Sequence, residues 1–293
     1  MNNGRKLTRR DFLKLMRIAA LDFFLLAMGG AGYGFLMEPS SFQVETMSLK
    51  LPRLSRQFSG LRVAQISDIH MGGWMNLERL LRVVDLIIAQ KPDVLLITGD
   101  FLIGHDHTDI SQQAVQDLVI GLSSLASLFP TFAVLGNHDY WTDAETIRHM
   151  LNACRIRDLT NTVFTLTRNH ENLYFCGVDD IWEGNPRLEN VLAQLNDPGA
   201  AILLAHEPDF ADTSAATGRF DLQVSGHSHG GQVVLPVFGP PILPYMGRKY
   251  PSGLYRVREM FQYTNRGVGM ARLNIRINCP PEITVFVLES LSS

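Results

Sequence analysis

Five short apolar runs in this 293-residue chain each stop at a side chain type that can hold a metal ion. Residues 62–67 run into Asp68-Ile69-His70, residues 94–98 into Gly99-Asp100, and residues 131–135 into Gly136-Asn137-His138-Asp139. Residues 201–205 are followed by His206, and residues 222–225 by Gly226-His227-Ser228-His229. Short runs of this kind, rich in β-branched and apolar residues and bounded by turn formers, read as buried strands. Open α/β sheets place their sites just beyond the carboxyl ends of such strands. A chain that repeats this arrangement five times is restricted to layered α/β architectures that bring those ends to one edge.

The rest of the chain fits that restriction. Leu77, Leu80, Leu81, Val84, Ile87 and Ile88 recur at helical spacing until Lys91-Pro92 stops them, and residues 111–128 are also helical in pattern. Thr142-Asp143-Ala144-Glu145 reads as a capping box that opens a helix ending near Cys154. The second half is richer in strands: 162–168 and 174–178 as a hairpin pair, then 254–257, 261–264 and 283–288. No repeat or polar linker divides the chain after residue 38, so residues 38–293 are expected to form one domain of two packed sheets with outer helices. Cys154, Cys176 and Cys279 are far apart and outside any CxxC spacing, which predicts small buried hydrophobes and no disulfide framework. The net charge is −3, but residues 1–37 hold six Lys/Arg against Asp11 and Asp22, so the remainder is acidic. The acidic body lacks the basic face of a nucleic-acid binder, and no nucleic acid is expected as a partner.

Carboxylates, imidazoles and an amide carbonyl together suit Mn²⁺, Fe²⁺ or Zn²⁺. Two cations about 3.5–4 Å apart need a shared anionic ligand, and Asp100 is the natural bridge because Gly99 lets the backbone turn tightly before it. Asp68 and His70 are two apart, so both can face one ion; His227 and His229 share that spacing and could straddle a pair.

In order, Asp68-x-His70, Gly99-Asp100, Gly136-Asn137-His138-Asp139, His206 and Gly226-His227-x-His229 resemble the pattern of the calcineurin-like metallophosphoesterases. The resemblance continues through Gln232 and in Gly247-Arg-Lys-Tyr250, Arg266-Gly-Val-Gly269 and Asn278-Cys-Pro-Pro-Glu-Ile283. With the paired arginines near the start, the chain is similar over nearly its whole length to the exported YkuE/YaeI-type phosphodiesterase branch. The resemblance implies a four-layer α/β fold, a β-sandwich of two mixed sheets flanked by helices. It implies two divalent metal ions, Mn²⁺ first and Fe²⁺ or Zn²⁺ as alternatives. Asp68, His70, Asp100 and His229 would hold one ion, and Asp100, Asn137, His206 and His227 the other. His138 would protonate the leaving oxygen or stabilise charge on phosphorus, with Asp139 orienting its ring, while a metal-activated hydroxide attacks a small or lipid-linked phosphodiester. One departure is Ile103, where many relatives carry an acidic residue; Asp106 could replace it, and Ile103 also argues against the tyrosine–iron(III) chemistry of another branch. The same resemblance leaves open a pyrophosphatase of the UDP-diacylglucosamine type, from lipid A synthesis, or a non-catalytic scaffold of the same fold.

Residues 8–14 read Thr-Arg-Arg-Asp-Phe-Leu-Lys, and residues 18–37 are apolar except for Asp22. This looks like a twin-arginine export signal, with the twin-arginine export machinery as partner. Twenty helical residues span roughly 30 Å, enough for a bilayer core. Residues 1–37 are therefore expected to be a signal or membrane anchor. The catalytic domain would sit on the outer face of the cytoplasmic membrane, or be exported as a soluble protein if the signal is cleaved. Residues 233–245 (VVLPVFGPPILPY) contain four prolines, which predicts a stiff loop at the site entrance, either packed on the second sheet or entering lipid. Arg248, Lys249 and Arg266 are candidates to hold a phosphate, while His105 and His107 sit in a loop just past the expected bridge. Replacing Arg9 and Arg10 together by Lys should retain the protein in the cytoplasm on cell fractionation; unchanged export would remove the twin-arginine reading.

Overall fold

The computed structural model describes residues 8–104, 111–271 and 273–291, with the side chains at 19, 20, 23–28 and 31 outside the described set. The described helices are α1 (Arg9–Gly32), α2 (Leu77–Gln90), α3 (Gln112–Leu128), α4 (Asn137–Thr142), α5 (Ala144–Ala153), α6 (Leu188–Ala193) and α7 (Ala211–Ala216). The described strands are β1 (Gln43–Leu51), β2 (Arg62–Ile66), β3 (Val94–Thr98), β4 (Thr131–Val134), β5 (Arg157–Asp158), β6 (Thr162–Arg168), β7 (Glu171–Gly177), β8 (Ala200–Leu204), β9 (Leu222–Ser225), β10 (Gly253–Val257), β11 (Met260–Thr264) and β12 (Glu282–Ser290).

They form two six-stranded mixed sheets, ordered β1-β12-β2-β3-β4-β5 and β10-β11-β9-β8-β7-β6. In the first, β2, β3, β4 and β5 run parallel and β12 opposes β2. In the second, β11, β9, β8 and β7 run parallel, with antiparallel partners β10 and β6 at the edges. The alternation of side chains along each strand sorts them into separate cores. Val63, Leu96 and Phe132 of the first sheet meet Phe175, Ile202 and Val224 of the second. Their neighbours Ala64, Ile66, Leu95 and Ile97 point the other way, onto Leu80, Val84, Leu118 and Leu122 of α2 and α3. On the far side, Cys176, Ala201 and Leu203 pack with Val191, Ala211 and Ala215 of α6 and α7. Each large apolar side chain so buried contributes about 1.5–3 kcal/mol. The result is the expected helix–sheet–sheet–helix sandwich. Burial on both faces explains why β3 and β8 read as unbroken apolar runs.

Local signals are mostly honoured. Asn76 caps α2 by accepting from Arg79 N (3.0 Å), and the helix ends at Lys91 in a left-handed conformation before Pro92. The capping box at 142–145 is shifted by one: Asp143 is the cap of α5, accepting from Glu145 N, whereas Thr142 closes the preceding α4. All three cysteines are buried and free.

At the N-terminus, Arg9 and Arg10 occupy the first turn of α1, capped by Thr8, which accepts from Asp11 N (3.2 Å). The described apolar side chains Phe12, Leu13, Leu15, Met16, Ile18 and Leu21 are exposed. Among the described residues no helix is long and apolar enough to cross a membrane; much of the 18–37 run lies outside the described side chains. The segment is fastened to the body where the Gly34 carbonyl accepts from Arg276 N (3.0 Å) and the buried Glu38 carboxylate accepts from Asn278 N (3.0 Å) and Cys279 N (2.5 Å).

Candidate metal centre

The parallel runs β2-β3-β4 and β8-β9 each present their carboxyl ends along one sheet edge. Contacts between the sheets join those edges: Gln65 Nε2 donates to the Ser225 carbonyl (3.0 Å), and His227 N donates to Asp68 Oδ1 (3.0 Å). The approach is close enough at position 226 that a Cβ there would lie 2.2 Å from Asp68 Oδ2. Asp68, His70, Asp100, His227 and His229 all have φ between 48° and 68°. Non-glycine residues rarely hold this left-handed conformation, which costs about 1–2 kcal/mol each and persists where surrounding contacts enforce it, typically at functional sites. The strain turns each side chain back toward the seam between the sheets.

Asp68, His70, Asp100 and His229 are buried and each offers a ligand atom within 4.8 Å of the others. His70 Nε2 and His229 Nε2 face each other at 3.0 Å, and His229 Nε2 is 3.3 Å from Asp68 Oδ1. Two imidazole nitrogens so placed need a proton or a cation between them. Asp100 Oδ2 lies 3.4 Å from His70 Nε2 on one side and 3.3 Å from His206 Nε2 on the other. Beyond His206 comes His227, with ring centroids 5.0 Å apart. Among the described residues the buried Asn137 Oδ1 has no hydrogen-bond partner, and His206 Nε2 has only the Asp100 carboxylate nearby at 3.3 Å. Buried polar atoms are rarely left so, and a hard divalent ion fits this donor set. Second nitrogens are held by carbonyls: His206 Nδ1 donates to Thr98 O (2.5 Å) and His227 Nε2 to Tyr245 O (2.7 Å). Such contacts fix the tautomer and orientation of a ligating ring.

Burial pushes the Asp68 carboxyl up to about 7, with His206 opposing and Asp100 adding to the rise. Burial also disfavours ionisation of Asp100, but the His206, His138 and His70 imidazoles outweigh it and hold that carboxyl well below the usual range. Reciprocally, burial opposes charge on His206, and Asp100 overcomes this to raise its pKa well above the ordinary value. Burial, with His206 beside one ring and His70 and Arg276 beside the other, lowers His227 and His229.

One expectation needs correction. Asp139 does not orient the His138 ring: its carboxylate accepts from Asp100 N (2.9 Å), Phe101 N (2.8 Å) and Gly136 N (2.9 Å), so it braces two of the loops. The His138 ring is held instead by Nδ1 donating to Gly104 O (2.7 Å), while its backbone N donates to Asp100 Oδ1 (2.9 Å). Arg266 pairs with the buried Glu282 (2.5 Å) and with Glu45 (3.2 Å). Lys249 pairs with Asp212 (2.5 Å) at the surface. Arg248 is exposed and follows Gly247, where a Cβ would lie 3.3 Å from the His227 ring. His105, Asp106 and His107 lie outside the described residues.

Other side chains carry no motif. Arg276 is fully buried, donating to the carbonyls of Cys279, Arg266, Gly267 and Gly269, and so ties together the loops behind Asp68 and His229. Trp141, Trp182 and Tyr245 form an aromatic rim: Trp141 lies 4.7 Å from His138, and Trp182 lies 6.0 Å from His227. The arginine sits beyond the last ligand, and the rim comes from helix α4 and two separate loops. Sequence spacing holds no signal for either.

Two mixed sheets whose joined edges carry this cluster define a metallophosphoesterase. Residues 61–231 match the family described as calcineurin-like phosphoesterases, and the chain belongs to it. It is therefore a phosphoric ester hydrolase by family. It is 36% identical over 290 residues to the uncharacterized metallophosphoesterase YkuE of Bacillus subtilis, which covers 98% of this chain and 99% of the relative. Phosphodiesterase YaeI of Escherichia coli is 30% identical over 285 residues, covering 96% of this chain and 99% of the relative. A transmembrane protein with metallophosphoesterase domain from Danio rerio is 30% identical over 273 residues, 88% of this chain and 60% of the relative.

The electrostatics predict a pH-dependent stability. Without metal, the folded chain keeps protons on Asp68 and His206 that the unfolded chain has released above about pH 6.5, so stability should fall as pH rises from there toward 8. His227 and His229, lowered in the fold, give up unfolded-state protons around pH 6.5 and oppose the fall there, but are neutral in both states by about pH 7.5. Adding a divalent ion displaces those protons, so the gain in Tm should be larger at pH 8 than at pH 6. An equal gain at both, by differential scanning fluorimetry with and without chelator, would contradict this charge assignment.

Proposed function

We propose that this chain is a dinuclear metal-dependent phosphodiesterase acting on a small or lipid-linked phosphodiester. The observation that carries the proposal is Asp100 Oδ2, placed between His70 on one side and His206 on the other. A single anionic oxygen between two donor groups is what two neighbouring cations require. Asp68, His70, Asp100 and His229 would hold one ion; Asp100, Asn137, His206 and His227 would hold the other, with Mn²⁺ the first candidate and Fe²⁺ or Zn²⁺ alternatives. When bound, the ions supply Lewis acidity, lowering the pKa of water and offsetting charge on the phosphoryl oxygens.

The chain's own residues do the rest. Because Gly104 O can only accept, the proton on His138 Nδ1 is fixed, and Nε2 is the nitrogen that titrates. His138 then delivers a proton from Nε2 to the leaving oxygen. Arg248 is the candidate to meet a non-bridging phosphate oxygen. The aromatic rim limits water at the mouth and offers an apolar wall to the leaving group. Convergence of all these groups on one seam favours an enzyme over a scaffold.

The phosphodiester substrate class is supported by the name of the YaeI relative. Membrane attachment through residues 18–37 is supported by the exposed apolar side chains of α1 and by the name of the Danio rerio relative, a transmembrane protein. With twin-arginine export, the catalytic domain would face outward from the cytoplasmic membrane.

His138→Ala should keep both metal ions and lower kcat on a phosphodiester by about 10²–10⁴-fold; near-normal turnover would overturn its role. Asp100→Asn should leave fewer than two ions bound on elemental analysis, and full occupancy would overturn the bridge. Greater turnover of phosphomonoesters than of phosphodiesters by the loaded enzyme would overturn the substrate class.

A further inference from the structure

The proline-rich segment 233–245 carries no charge, and none of its residues is fully buried. Val234 N donates to Ile277 O (2.8 Å), and Leu235 and Gly239 exchange both backbone hydrogen bonds (3.0 and 2.9 Å) to close a tight turn. That turn thrusts out the apolar side chains at its tip. Val237 is 101% exposed, Phe238 87% and Ile242 72%. Val237 also sits at φ 70°, a conformation β-branched residues seldom adopt. Pro236, Pro240, Pro241 and Pro244 stiffen the segment, so the tip cannot fold back cheaply to hide its surface. The other end reaches the metal centre: Tyr245 O accepts from His227 Nε2, and the Tyr245 ring lies 5.6 Å from Trp182. Exposed apolar side chains clustered on one stiff turn, rather than scattered singly, mark a contact surface.

We propose that this lip is a membrane contact, with Val237, Phe238 and Ile242 entering the interfacial layer of a lipid bilayer and the metal centre opening beside them. The occupant follows from the neighbouring chain. Residues 276 and 277 are hydrogen-bonded on one side to the N-terminal segment, through Arg276 N to Gly34 O (3.0 Å). On the other side they are bonded to the lip, through Ile277 N to Gln232 O (2.9 Å). Flanking Gly34, the side chains of Tyr33, Phe35, Leu36 and Met37 are exposed, as is Leu273. Two uncharged, apolar projections thus leave the body from one seam, and a single lipid surface can cover both. Exposed Arg248, three residues past Tyr245, is suited to the headgroup layer. The inference rests on the membrane reading of the N-terminal segment, and it deepens the substrate reading: the scissile phosphoester would be drawn from the lipid plane.

The test uses the full chain reconstituted into vesicles of phosphatidylcholine and phosphatidylglycerol, with or without brominated acyl chains. Phe238→Trp, at an exposed tip, leaves the metal-holding residues untouched. Its added emission should drop about twofold or more in brominated vesicles, as expected for a side chain at the acyl boundary, while wild-type emission changes far less. Equal emission in both vesicle sets, with the protein still vesicle-bound, would overturn the lip and leave the anchor standing. Emission that instead tracks protein concentration, with a dimer on sedimentation, would assign the lip to a second copy and overturn it. Failure of the full chain to bind vesicles would overturn it together with the anchor. Turnover of a soluble phosphodiester by the same variant reports on the chemistry separately.

Discussion

Asp100 sits with a histidine on either side, shut away from water, and most of the surrounding architecture serves that arrangement. A buried carboxylate is costly alone, and one flanked by imidazoles is held ionised. Here His206 takes up the charge that Asp100 presents, and the neighbouring Asp68, pushed up to about 7, still shares a proton near neutrality. The cluster balances itself with protons that divalent ions can displace, which is how a site can be preformed in a folded chain and still have high affinity for metal.

Holding such a cluster requires five strand ends from two sheets to be fixed against one another. Backbone amides do much of this. Asp139 gathers the amides of Gly136, Asp100 and Phe101, and Asp68 receives that of His227. From behind, the buried Arg276 binds four carbonyls of the loops at 266–269 and 279. Hydrogen bonds to a charged group are each worth about 1.5–3 kcal/mol. They offset the left-handed backbone at five of the candidate ligand positions, so the strain is stored where the side chains converge.

Much of this was legible in the chain itself. Apolar runs ending in Asp, Asn or His announced both the sheets and the candidate ligands, because a strand buried on both faces admits few polar side chains except at its end. Helices α2, α3 and α5 were visible through periodicity and capping residues. Strand β1 was not: it lies at a sheet edge, with Leu49 and Leu51 its only fully buried side chains, and its pattern is weak. Nor was α4, whose residues read as a loop because the motif Gly136-Asn137-His138-Asp139 dominates them. The role of Asp139 was misread because a charged residue inside a motif looks available, and only the amides of Asp100 and Phe101, distant in sequence, show that it is already engaged.

The order of residues by itself determined the layered fold, the chemical kind of the ligands and the family, since each depends on local composition at strand ends. Tertiary structure alone decided which ligands share a side of Asp100, what holds the His138 ring, and which apolar loop stays uncovered. Those outcomes depend on contacts between segments far apart in the chain, such as His70 with His229 or Tyr245 with His227, and no local pattern encodes the distance between two such atoms.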